Sequence, residues 1–586
     1  MYRIAYRRAL SSRLISPRAL PLIGSSLDVG ISLKYNLKTP FVATSRRWLS
    51  SGGTVQLTSS LRRQDDTIYA LSSAEGKAGI AVIRISGPAC SHVYHKLCPG
   101  RPAPKPRYAL VRTLYLPESQ GSEVLDASAL ILYFPGPKTV TGDDVLELHV
   151  HGGSATVKAV LSAIPACASD RRVRYAEPGE FTKRAFLNDR LDLAQVEALS
   201  ETLSAETEQQ RRAAVRGSSG SLGRTYEAWR QQLLQARAEL EALIDFQEDQ
   251  HFDESPASLV TTVTEQVERI LRSIAIHEQA GERSELLRNG IKVALLGPPN
   301  VGKSSLMNQV VGREASIVSG ESGTTRDIIE AHLDIRGFLC TFADTAGFRT
   351  AAEPWHDEQP NRKSPLGAVE EEGIRRARAK AGQSDVIIVL TSIERSARGS
   401  HEIRYDAETL KLAACCEQHI VVVNKRDAIS ETHVRALVAK FRDSVLKSIP
   451  GLEAVQPILI SCKEAQSQSS DWRDAGGISL VADHLVSSFR SMTSLPATLQ
   501  DLHGVTERQR QLLIQCRAHL EDYIDSVASV DNESDFEVDT YDTDVTMAAE
   551  HLRYAASCLG RITGRGEAGD VEEILGVIFE KFCVGK

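Results

Sequence analysis

Residues 297–304 have the composition and spacing of a phosphate-binding loop. Gly297, Gly302, Lys303 and Ser304 fit the pattern G-x-x-x-x-G-K-S, which follows the apolar run KVALL and precedes an amphipathic segment. Glycines allow the backbone to wrap closely, so that its N–H groups converge on phosphate oxygens at a helix N-terminus. The Lys303 ammonium would contact the β- and γ-phosphates, and the Ser304 hydroxyl would bind Mg²⁺. The segment predicts a nucleotide site made of Asn300, Val301, Gly302, Lys303, Ser304 and Ser305.

Three further segments, each at the end of an apolar run, indicate which nucleotide binds. Asp344-Thr345-Ala346-Gly347 supplies an acid for the Mg²⁺ shell and a glycine backbone that can sense the γ-phosphate. Asn424-Lys425-Arg426-Asp427 supplies a carboxylate that can accept hydrogen bonds from the ring N–H and the amino group of guanine. Adenine would leave that acceptor unpaired, which is costly. Ser461-Cys462-Lys463 fits the loop behind the base, so the sequence predicts GTP.

Two positions between these segments bear on hydrolysis. Thr325, within the segment GTTRD at 323–327, would complete the Mg²⁺ shell. Phe348 directly follows Gly347, where Ras-like enzymes carry the glutamine that orients the attacking water. Because phenylalanine cannot orient water, hydrolysis requires a cation in the site, an acid further along the chain, or a partner protein.

The elements that must position these residues follow from the hydrophobic pattern. Five apolar runs separated by helical segments predict a Ras-like, doubly wound α/β domain over 289–490. Short β-type runs precede it over 65–184, and apolar residues at helical spacing occupy 185–288 and 491–586. We therefore predict an N-terminal α+β domain and a discontinuous helical domain into which the α/β domain is inserted. Segments 351–367 and 532–544 are predicted to be loops, the second an acid-rich solvated linker.

Charge is distributed unevenly along the 586 residues, although the net charge is only −7. Residues 1–64 hold eleven Lys and Arg against Asp28, a balance of +10, which leaves −17 for the rest. An Arg- and Ser-rich, acid-poor start is typical of a mitochondrial transit peptide, and a disordered basic tail is the alternative. The acidic remainder is a poor general binder of polyanions. Ten scattered cysteines, without disulfide or zinc spacing, suit a reducing compartment, and no apolar run is long enough to span a bilayer.

Residues 67–586 resemble the MnmE (TrmE) family of tRNA-modification GTPases. The resemblance rests on GTTRD, DTAGF, ELHVHGG, the block PGEFTKRAFLNDRLDLAQVEAL at 178–199, and the terminal Cys583-Val584-Gly585-Lys586. It implies a GTPase that forms GDP and phosphate and acts with an FAD-dependent MnmG-type partner. Together such proteins install an aminomethyl-type group on the wobble uridine of tRNAs, here in the mitochondrial matrix.

The resemblance also implies how GTP is hydrolysed. A K⁺ ion would be held by the phosphate loop and the neighbouring loop, in the place of an arginine finger, and its ligands would be Asn300, Ser319, Glu321 and Thr324. The water-orienting acid falls on Glu370, with Glu371 and Glu372 as adjacent alternatives. Glu370, Lys303 and Asn300 are thus the implied catalytic residues.

The N-terminal domain is similar to a folate-binding module that also forms a homodimer. The contacts implied for 5-formyl- or methylene-tetrahydrofolate are Arg84, Glu147, Arg190 and Lys586. A carboxylate such as Glu147 can pair with the amino-pyrimidinone edge of a pterin, while Arg and Lys suit the glutamate carboxylates of the cofactor. Cys583 would either take part in one-carbon chemistry or be a buried structural residue, within a docked tail.

One rival function remains at this stage, a GTP-switched RNA or ribosome assembly factor of the Era or EngA type. Those proteins carry dedicated RNA-binding domains, and this sequence shows no KH-type GxxG loop set in a basic environment. Wobble-uridine analysis of mitochondrial tRNA distinguishes the two functions.

Overall fold

The computed structural model describes most of the chain after residue 65. The described residues are 66–119, 121–168, 172–245, 256–317, 331–343, 379, 381–396, 399–466, 474, 476–531, 538–565, 578, 582 and 585. Within them, no helix is long and apolar enough to cross a membrane.

The N-terminal part is a six-stranded sheet with the strand order β3-β4-β5-β2-β1-β6. The strands are β1 Thr67–Leu71, β2 Ile80–Ser86, β3 Leu110–Tyr115, β4 Val124–Phe134, β5 Val145–His151 and β6 Val173–Tyr175. All neighbours are antiparallel except β1 and β6. The helices are α1 Cys90–Leu97, α2 Ser154–Ala163 and α3 Glu180–Leu187. The predicted β-type runs are therefore strands.

Alternating side chains divide this sheet into an apolar face and a more polar one. Ile83 and Ile85 of β2 join Leu146 and Leu148 of β5 in a core with α1 and α2. Because successive side chains in a strand point to opposite faces, Arg84 and Glu147 lie on the other face. Phe181 of α3 packs there against Ile68 and Ala70 of β1.

Helices that precede the second sheet in sequence share one core with helices that follow it. The helices before the second sheet are α4 Leu193–Ser204, α5 Glu208–Gly217, α6 Ser221–Asp245 and α7 Pro256–Asn289. Tyr226 and Leu240 of α6 pack in one cluster with Leu520 and Leu552, which come from helices some 280 residues later in the chain. The predicted helical spacing is confirmed. α4 and α5 each begin at a capping box, Asp192 with Gln195 and Thr207 with Gln210.

The second sheet has a parallel centre and an antiparallel edge, in the order β14-β13-β11-β7-β10-β9-β8, with β12 paired to β11. The strands are β7 Ile291–Leu296, β8 Ala315–Ile317, β9 Ala331–Ile335, β10 Phe338–Ala343, β11 Val386–Arg395, β12 His401–Arg404, β13 Gln418–Asn424 and β14 Ile458–Leu459. The helices of this part are α8 Lys303–Arg313, α9 Ala407–Ala414, α10 Glu431–Ser444, α11 Cys462–Gln466 and α12 Ile478–Thr493. Strands β7, β10, β11, β13 and β14 are the five predicted runs, and they are mutually parallel.

Both faces of the parallel strands are buried, which is why they are continuous apolar runs. Ile388 of β11 packs in one cluster with Leu306 of α8, whereas Ile387 and Val389 pack on the opposite face with Leu410 of α9. The carboxyl ends of these strands meet at one edge of the sheet, where open α/β sheets bind ligands. The antiparallel strands β8, β9 and β12 were not predicted, because AHLDI and HEIR mix charged and apolar residues.

Two long helices follow, α13 Glu507–Asp531 and α14 Val538–Thr563. The prediction of a linker over 532–544 is wrong for its second half, because the backbone is helical from Val538. Helix α14 packs closely on α13 and α6, and this apolar contact overrides the acidic composition of its first turns. Single 3₁₀ turns occur at Pro117–Ser119, Pro165–Cys167, Arg426–Ala428 and Leu446–Ser448, and a longer 3₁₀ helix spans Ala497–Gly504.

Candidate functional site

The loop between β7 and α8 has the backbone geometry that its sequence predicts. Gly297, Asn300 and Gly302 all have positive φ, of 144°, 66° and 102°. A Cβ on Gly297 would lie 2.1 Å from the Leu390 carbonyl oxygen, and one on Gly302 would lie 2.3 Å from a side-chain nitrogen of Asn424. Only glycine fits these two positions, so the chain turns tightly and delivers its N–H groups to the start of α8.

Lys303 and Ser304 open α8 beneath this loop. The Lys303 ammonium donates to the carbonyl oxygens of Gly297 and Pro298, at 2.7 and 2.8 Å, and so lies across the loop. Val301 is buried, and Ser304 is exposed on the first helical turn. The structure thus brings the predicted phosphate-loop residues together around one concave backbone segment, with Ser305 following in the same turn.

A second group of loops at the same sheet edge holds the predicted base-recognition residues. We call Asn424–Asp427 and Ser461–Lys463 the base loops. Asn424 is buried at the end of β13, and its amide nitrogen donates to the Val301 carbonyl oxygen at 2.8 Å. Its side-chain oxygen accepts from the backbone N–H groups of Lys425, at 2.8 Å, and Cys462, at 3.2 Å. Asn424 therefore fastens both base loops to the phosphate loop.

The carboxylate that would recognise guanine is oriented by the second base loop. Asp427 is exposed, and its Oδ1 accepts from the Ser461 hydroxyl at 2.6 Å. The Ser461 oxygen in turn accepts from the backbone N–H of Glu464 at 3.0 Å. Burial raises the pKa of the Cys462 thiol to about 11, which leaves it protonated and suited to packing. Lys463 is exposed at the beginning of α11.

Glu394 and Glu464 brace the base loops, and neither role was predicted from the sequence. Lys425, in a left-handed conformation with φ of 64°, donates its ammonium to Glu394 at the end of β11, at 2.8 Å. That hydrogen bond, together with ones from Arg404 and Ser392, lowers the pKa of Glu394 to about 2. Arg426 pairs with Glu464 of α11 at 2.9 Å. The position of Glu394 at the end of a predicted parallel strand could have indicated this role from the sequence.

The remaining predicted nucleotide-site residues lie outside the described residues. These are Ser319, Glu321, Thr324, Thr325, Asp344, Thr345, Ala346, Gly347, Phe348 and Glu370 with its neighbours Glu371 and Glu372. The same holds for residues 1–64 and 351–367.

On the N-terminal sheet, Arg84, Glu147 and His149 form what we call the charged face. Arg84 of β2 and Glu147 of β5 are direct cross-strand partners. The Arg84 Nε and Nη2 atoms lie 3.0 and 2.9 Å from Glu147 Oε1, and His149 Nε2 lies 3.5 Å from Oε2. The Arg84 guanidinium also lies over the ring of Phe181, 6.0 Å from its centre. A paired cation and carboxylate, partly open to solvent, thus stand beside an aromatic ring.

Arg190 and the end of the chain approach the same part of the sheet. Arg190 donates its Nε to the Thr139 carbonyl oxygen at 3.0 Å, on a loop whose Thr141 hydroxyl contacts Ser86 of β2 at 2.7 Å. Gly585 accepts a hydrogen bond from the Ser72 hydroxyl at 2.8 Å, just beyond β1. Phe582 is buried against Leu193 and Val196 of α4. At these two residues the tail is docked; Cys583 and Lys586 lie outside the described residues.

A buried ionic network holds α3 against the sheet and so positions Phe181. Arg174 of β6 pairs with Asp66 and Glu180, and Arg184 of α3 pairs with the same two acids. Burial alone would raise the pKa values of Asp66 and Glu180, but the two guanidinium groups outweigh it and hold both below their usual values. The acids are therefore ionised. Glu180 and Arg184, which belong to the sequence block at 178–199, thus have a structural role in this network.

Comparison with known families matches nearly all of the described chain. A family model described as "GTP-binding protein TrmE N-terminus" matches residues 67–190, and one described as "MnmE helical domain" matches residues 193–583. The first match contains the residues of the charged face. The second begins at Leu193, the first residue of α4, and contains the sheet that bears the base loops.

Curated relatives resemble the chain over almost their whole length. The "tRNA modification GTPase MnmE" of Parvibaculum lavamentivorans is 39% identical over 522 residues, which is 89% of this chain and 100% of the relative. The "5-taurinomethyluridine-[tRNA] synthase subunit GTPB3, mitochondrial" of Danio rerio and that of Homo sapiens are each 36% identical over 529 residues, covering 89% of this chain and 93% of the relative.

Proposed function

This chain belongs to the MnmE (TrmE) family, and from that premise we propose that it is a GTPase of mitochondrial tRNA wobble-uridine modification. It hydrolyses GTP to GDP and phosphate in that pathway, in keeping with the names of its bacterial and mitochondrial relatives. The observation that supports the proposal is the hydrogen bond from Asn424 to the Val301 carbonyl oxygen, which joins the base loops to the loop with the phosphate-binding sequence.

GTP binding by these residues follows from their donors and acceptors. The phosphate loop offers backbone N–H groups at the start of α8, and the Lys303 ammonium exchanges its contacts with Gly297 and Pro298 for phosphate oxygens. The Asp427 carboxylate accepts from the ring N–H and amino group of guanine, while Ser461 holds it in place. Thr345 and Ala346 border the γ-phosphate with Asp344 and Gly347 in this proposal.

Two cations complete the proposed hydrolytic site. The exposed Ser304 hydroxyl fits a Mg²⁺ ligand at the first turn of α8, with Thr325 as the second protein ligand. Asn300, whose left-handed backbone projects from the loop, fits a K⁺ ligand together with Ser319, Glu321 and Thr324. When bound, these ions would supply positive charge beside the transferred phosphoryl group, and Glu370 would orient the attacking water in place of Phe348.

The charged face is proposed to bind a reduced folate, 5-formyl- or methylene-tetrahydrofolate, as the one-carbon donor. Glu147 would pair with the amino-pyrimidinone edge of the pterin, and Arg84, Arg190 and Lys586 would bind its carboxylates. Phe181 is buried beneath Arg84 and supports the guanidinium from below, which helps to hold the ion pair in position for a ligand. The docked position of Gly585 supports a role for its neighbours Cys583 and Lys586 at this site.

The proposed partners are a second copy of the chain through the N-terminal domain, an FAD-dependent MnmG-type protein and mitochondrial tRNA. Residues 1–64 would act as a transit peptide to the matrix. The proposed domains are 65–184, a helical domain of 185–288 with 491–586, and a GTP-binding domain of 289–490.

The test combines nucleoside analysis with hydrolysis assays. A deletion strain complemented with the wild-type chain should recover modified wobble uridines in mitochondrial tRNA, as measured by mass spectrometry, whereas Lys303→Ala should not. Hydrolysis by the purified wild-type chain should slow severely when K⁺ is replaced by Na⁺. Unaltered wobble uridines in the deletion strain, with a deficit of a ribosomal subunit, would support the assembly-factor function instead.

A further inference from the structure

Two histidines and an aspartate meet on the outer surface of the helical part of the chain, far along the sequence from either proposed site. His519 and Asp522 belong to α13, and His551 belongs to α14. Each side chain can offer one ligand atom, and these three atoms all lie within 4.8 Å of one another. Neither the nucleotide chemistry nor the one-carbon chemistry uses these residues.

The packing of α13 on α14 fixes this arrangement. Residues three apart on a helix share a face, so His519 and Asp522 point to the same side of α13. Leu520 of α13 and Leu552 of α14, each the chain neighbour of a cluster histidine, are fully buried in the shared core. The ring of Tyr554 packs against that of His519, with 5.4 Å between their centres, and restricts its orientation. The ligand atoms are therefore held on two rigid elements, which favours a preformed site.

The contacts within the cluster leave one buried nitrogen without a hydrogen bond. His551 Nδ1 is shielded from solvent and has no hydrogen-bond partner among the described residues. Asp522 Oδ2 lies 3.9 Å from it, which is too far for a hydrogen bond. Two ligand atoms of a tetrahedral Zn²⁺ ion lie about 3.4 Å apart, given bonds of about 2.1 Å. A small side-chain rotation would bring the two atoms to that separation, so an ion between them would satisfy the buried nitrogen that direct pairing leaves unbonded.

We propose that His519, Asp522 and His551 form a binding site for a transition-metal ion of the Zn²⁺ class. Two imidazoles and a carboxylate match the preferences of Zn²⁺ and Co²⁺, whereas Mg²⁺ and Ca²⁺ prefer oxygen ligands alone. Asp522 is exposed, so the fourth position is open to water or to a ligand from another molecule. The ion joins α13 to α14.

The experiment measures Zn²⁺ stoichiometry on the full chain, with saturating GDP and Mg²⁺ to occupy the nucleotide site. Zn²⁺ is titrated in competition with a chromophoric chelator. The wild-type chain should bind one equivalent more than His551→Gln and His519→Ala, each of which should weaken this site by about tenfold or more. His484→Ala, an exposed histidine on α12, is the matched control and should leave the titration unchanged.

A Co²⁺ spectrum distinguishes this site from the cysteines, of which Cys415 is exposed and adjacent to Cys416. Co²⁺ at His519, Asp522 and His551 should give visible bands without a thiolate charge-transfer band, and His551→Gln should abolish them. Equal stoichiometry and affinity in the wild-type chain and both cluster variants would overturn the proposal, as would a spectrum that is thiolate in origin and survives the variants. Unchanged far-ultraviolet circular dichroism and GTP hydrolysis in the variants exclude misfolding as the cause of any loss.

Discussion

The base loops and the charged face both hold polar groups ready for a ligand, but they do so in opposite ways. In the base loops, the hydrogen bonds of Asn424 and Ser461 hold the loops in place, and Asp427, the proposed base-recognition residue, remains exposed. On the charged face, Arg84 and Glu147 are bonded to each other. A ligand at the first site would require no rearrangement of these hydrogen bonds, whereas a ligand at the second site would have to share or replace an existing ion pair.

This difference affects how tightly each site can discriminate. A preorganised carboxylate rejects a ligand that lacks the matching donors, because no hydrogen bonds then compensate for the water that the carboxylate loses. A ligand at the charged face gains only the difference between its own bonds and the ion pair it displaces. We therefore expect substitutions in the base loops to have large, specific effects, and substitutions on the charged face to have moderate ones.

The largest expected effect is at Asp427. Asp427→Asn should lower GTP affinity by about 10³-fold or more, because the amide nitrogen would face the donors of guanine. Xanthosine triphosphate, which presents a carbonyl oxygen where guanine has its amino group, should bind better to the variant than to the wild-type chain. Fluorescent-nucleotide titrations measure both affinities.

The recovered xanthosine nucleotide affinity is the internal control, since a misfolded loop would bind neither nucleotide. If the variant keeps its preference for GTP, guanine is recognised by other residues, and the contrast between the base loops and the charged face does not hold.

The second effect concerns the ionic network that holds α3 under the charged face. Glu180→Gln replaces one of the two acids that Arg174 and Arg184 share with a neutral amide in a buried position. The free energy of unfolding should fall by about 2–3 kcal/mol. Amide hydrogen exchange in peptides from β1 and β6 should accelerate, while GTP affinity should not change because the base loops are remote. Glu208→Gln, which breaks an exposed pairing with Arg211 and Arg212, is the matched control and should have little effect.

The pH dependence of this effect follows from the depressed pKa values of Asp66 and Glu180. Their folded-state pKa values lie below the unfolded ones, so the stabilisation is complete above about pH 4.5 and is lost as pH falls through the folded values. The difference in exchange between wild type and Glu180→Gln should therefore be largest near pH 7 and shrink below about pH 4. A difference that persisted in acid would show that packing, and not charge, holds α3.

The same contrast explains how much of each site could be predicted from sequence. The phosphate loop and the base loops are short contiguous motifs, each at the carboxyl end of a predicted parallel strand, and such strand ends meet at one edge of the sheet. This is how Asp427 and Ser461 come together although they are distant in sequence. The charged face is assembled from β2, β5, the loop at Arg190 and the chain terminus, and only the family resemblance indicated that these would meet.

The degree to which each strand or helix is buried determines how well its sequence predicts it. The five parallel strands are buried on both faces, and this produces unmistakable apolar runs such as the one in β11. The antiparallel strands β9 and β12 are only partly covered, so their sequences tolerate charge. The first turns of α14 are helical despite many acids, because the rest of that helix packs on α13 and α6, a tertiary effect that composition does not reveal.

A moderate effect is expected on the charged face itself. Glu147→Gln retains one acceptor but loses the ionic bond to Arg84, so affinity for 5-formyl-tetrahydrofolate should fall by about tenfold. Isothermal titration calorimetry measures this affinity, and Glu123→Gln, at an exposed residue just before β4, is the control. A loss as large as that at Asp427 would mean that Glu147 is as preorganised for its ligand as the base loops are.

The smallest expected effect is at the docked tail, where a single side-chain hydrogen bond can be removed. Ser72→Ala deletes the bond from the Ser72 hydroxyl to the Gly585 carbonyl oxygen and should cost about 1 kcal/mol, a roughly fivefold increase in the undocked fraction. Carboxypeptidase digestion should release the C-terminal residues correspondingly faster, whereas Ser122→Ala, an exposed serine bonded only within its own turn, should leave the rate unchanged. If folate affinity falls in proportion in Ser72→Ala, the tail contributes to the charged face. If the tail is released faster while folate affinity stays constant, the charged face binds its ligand without the tail, and it is then as self-contained as the base loops.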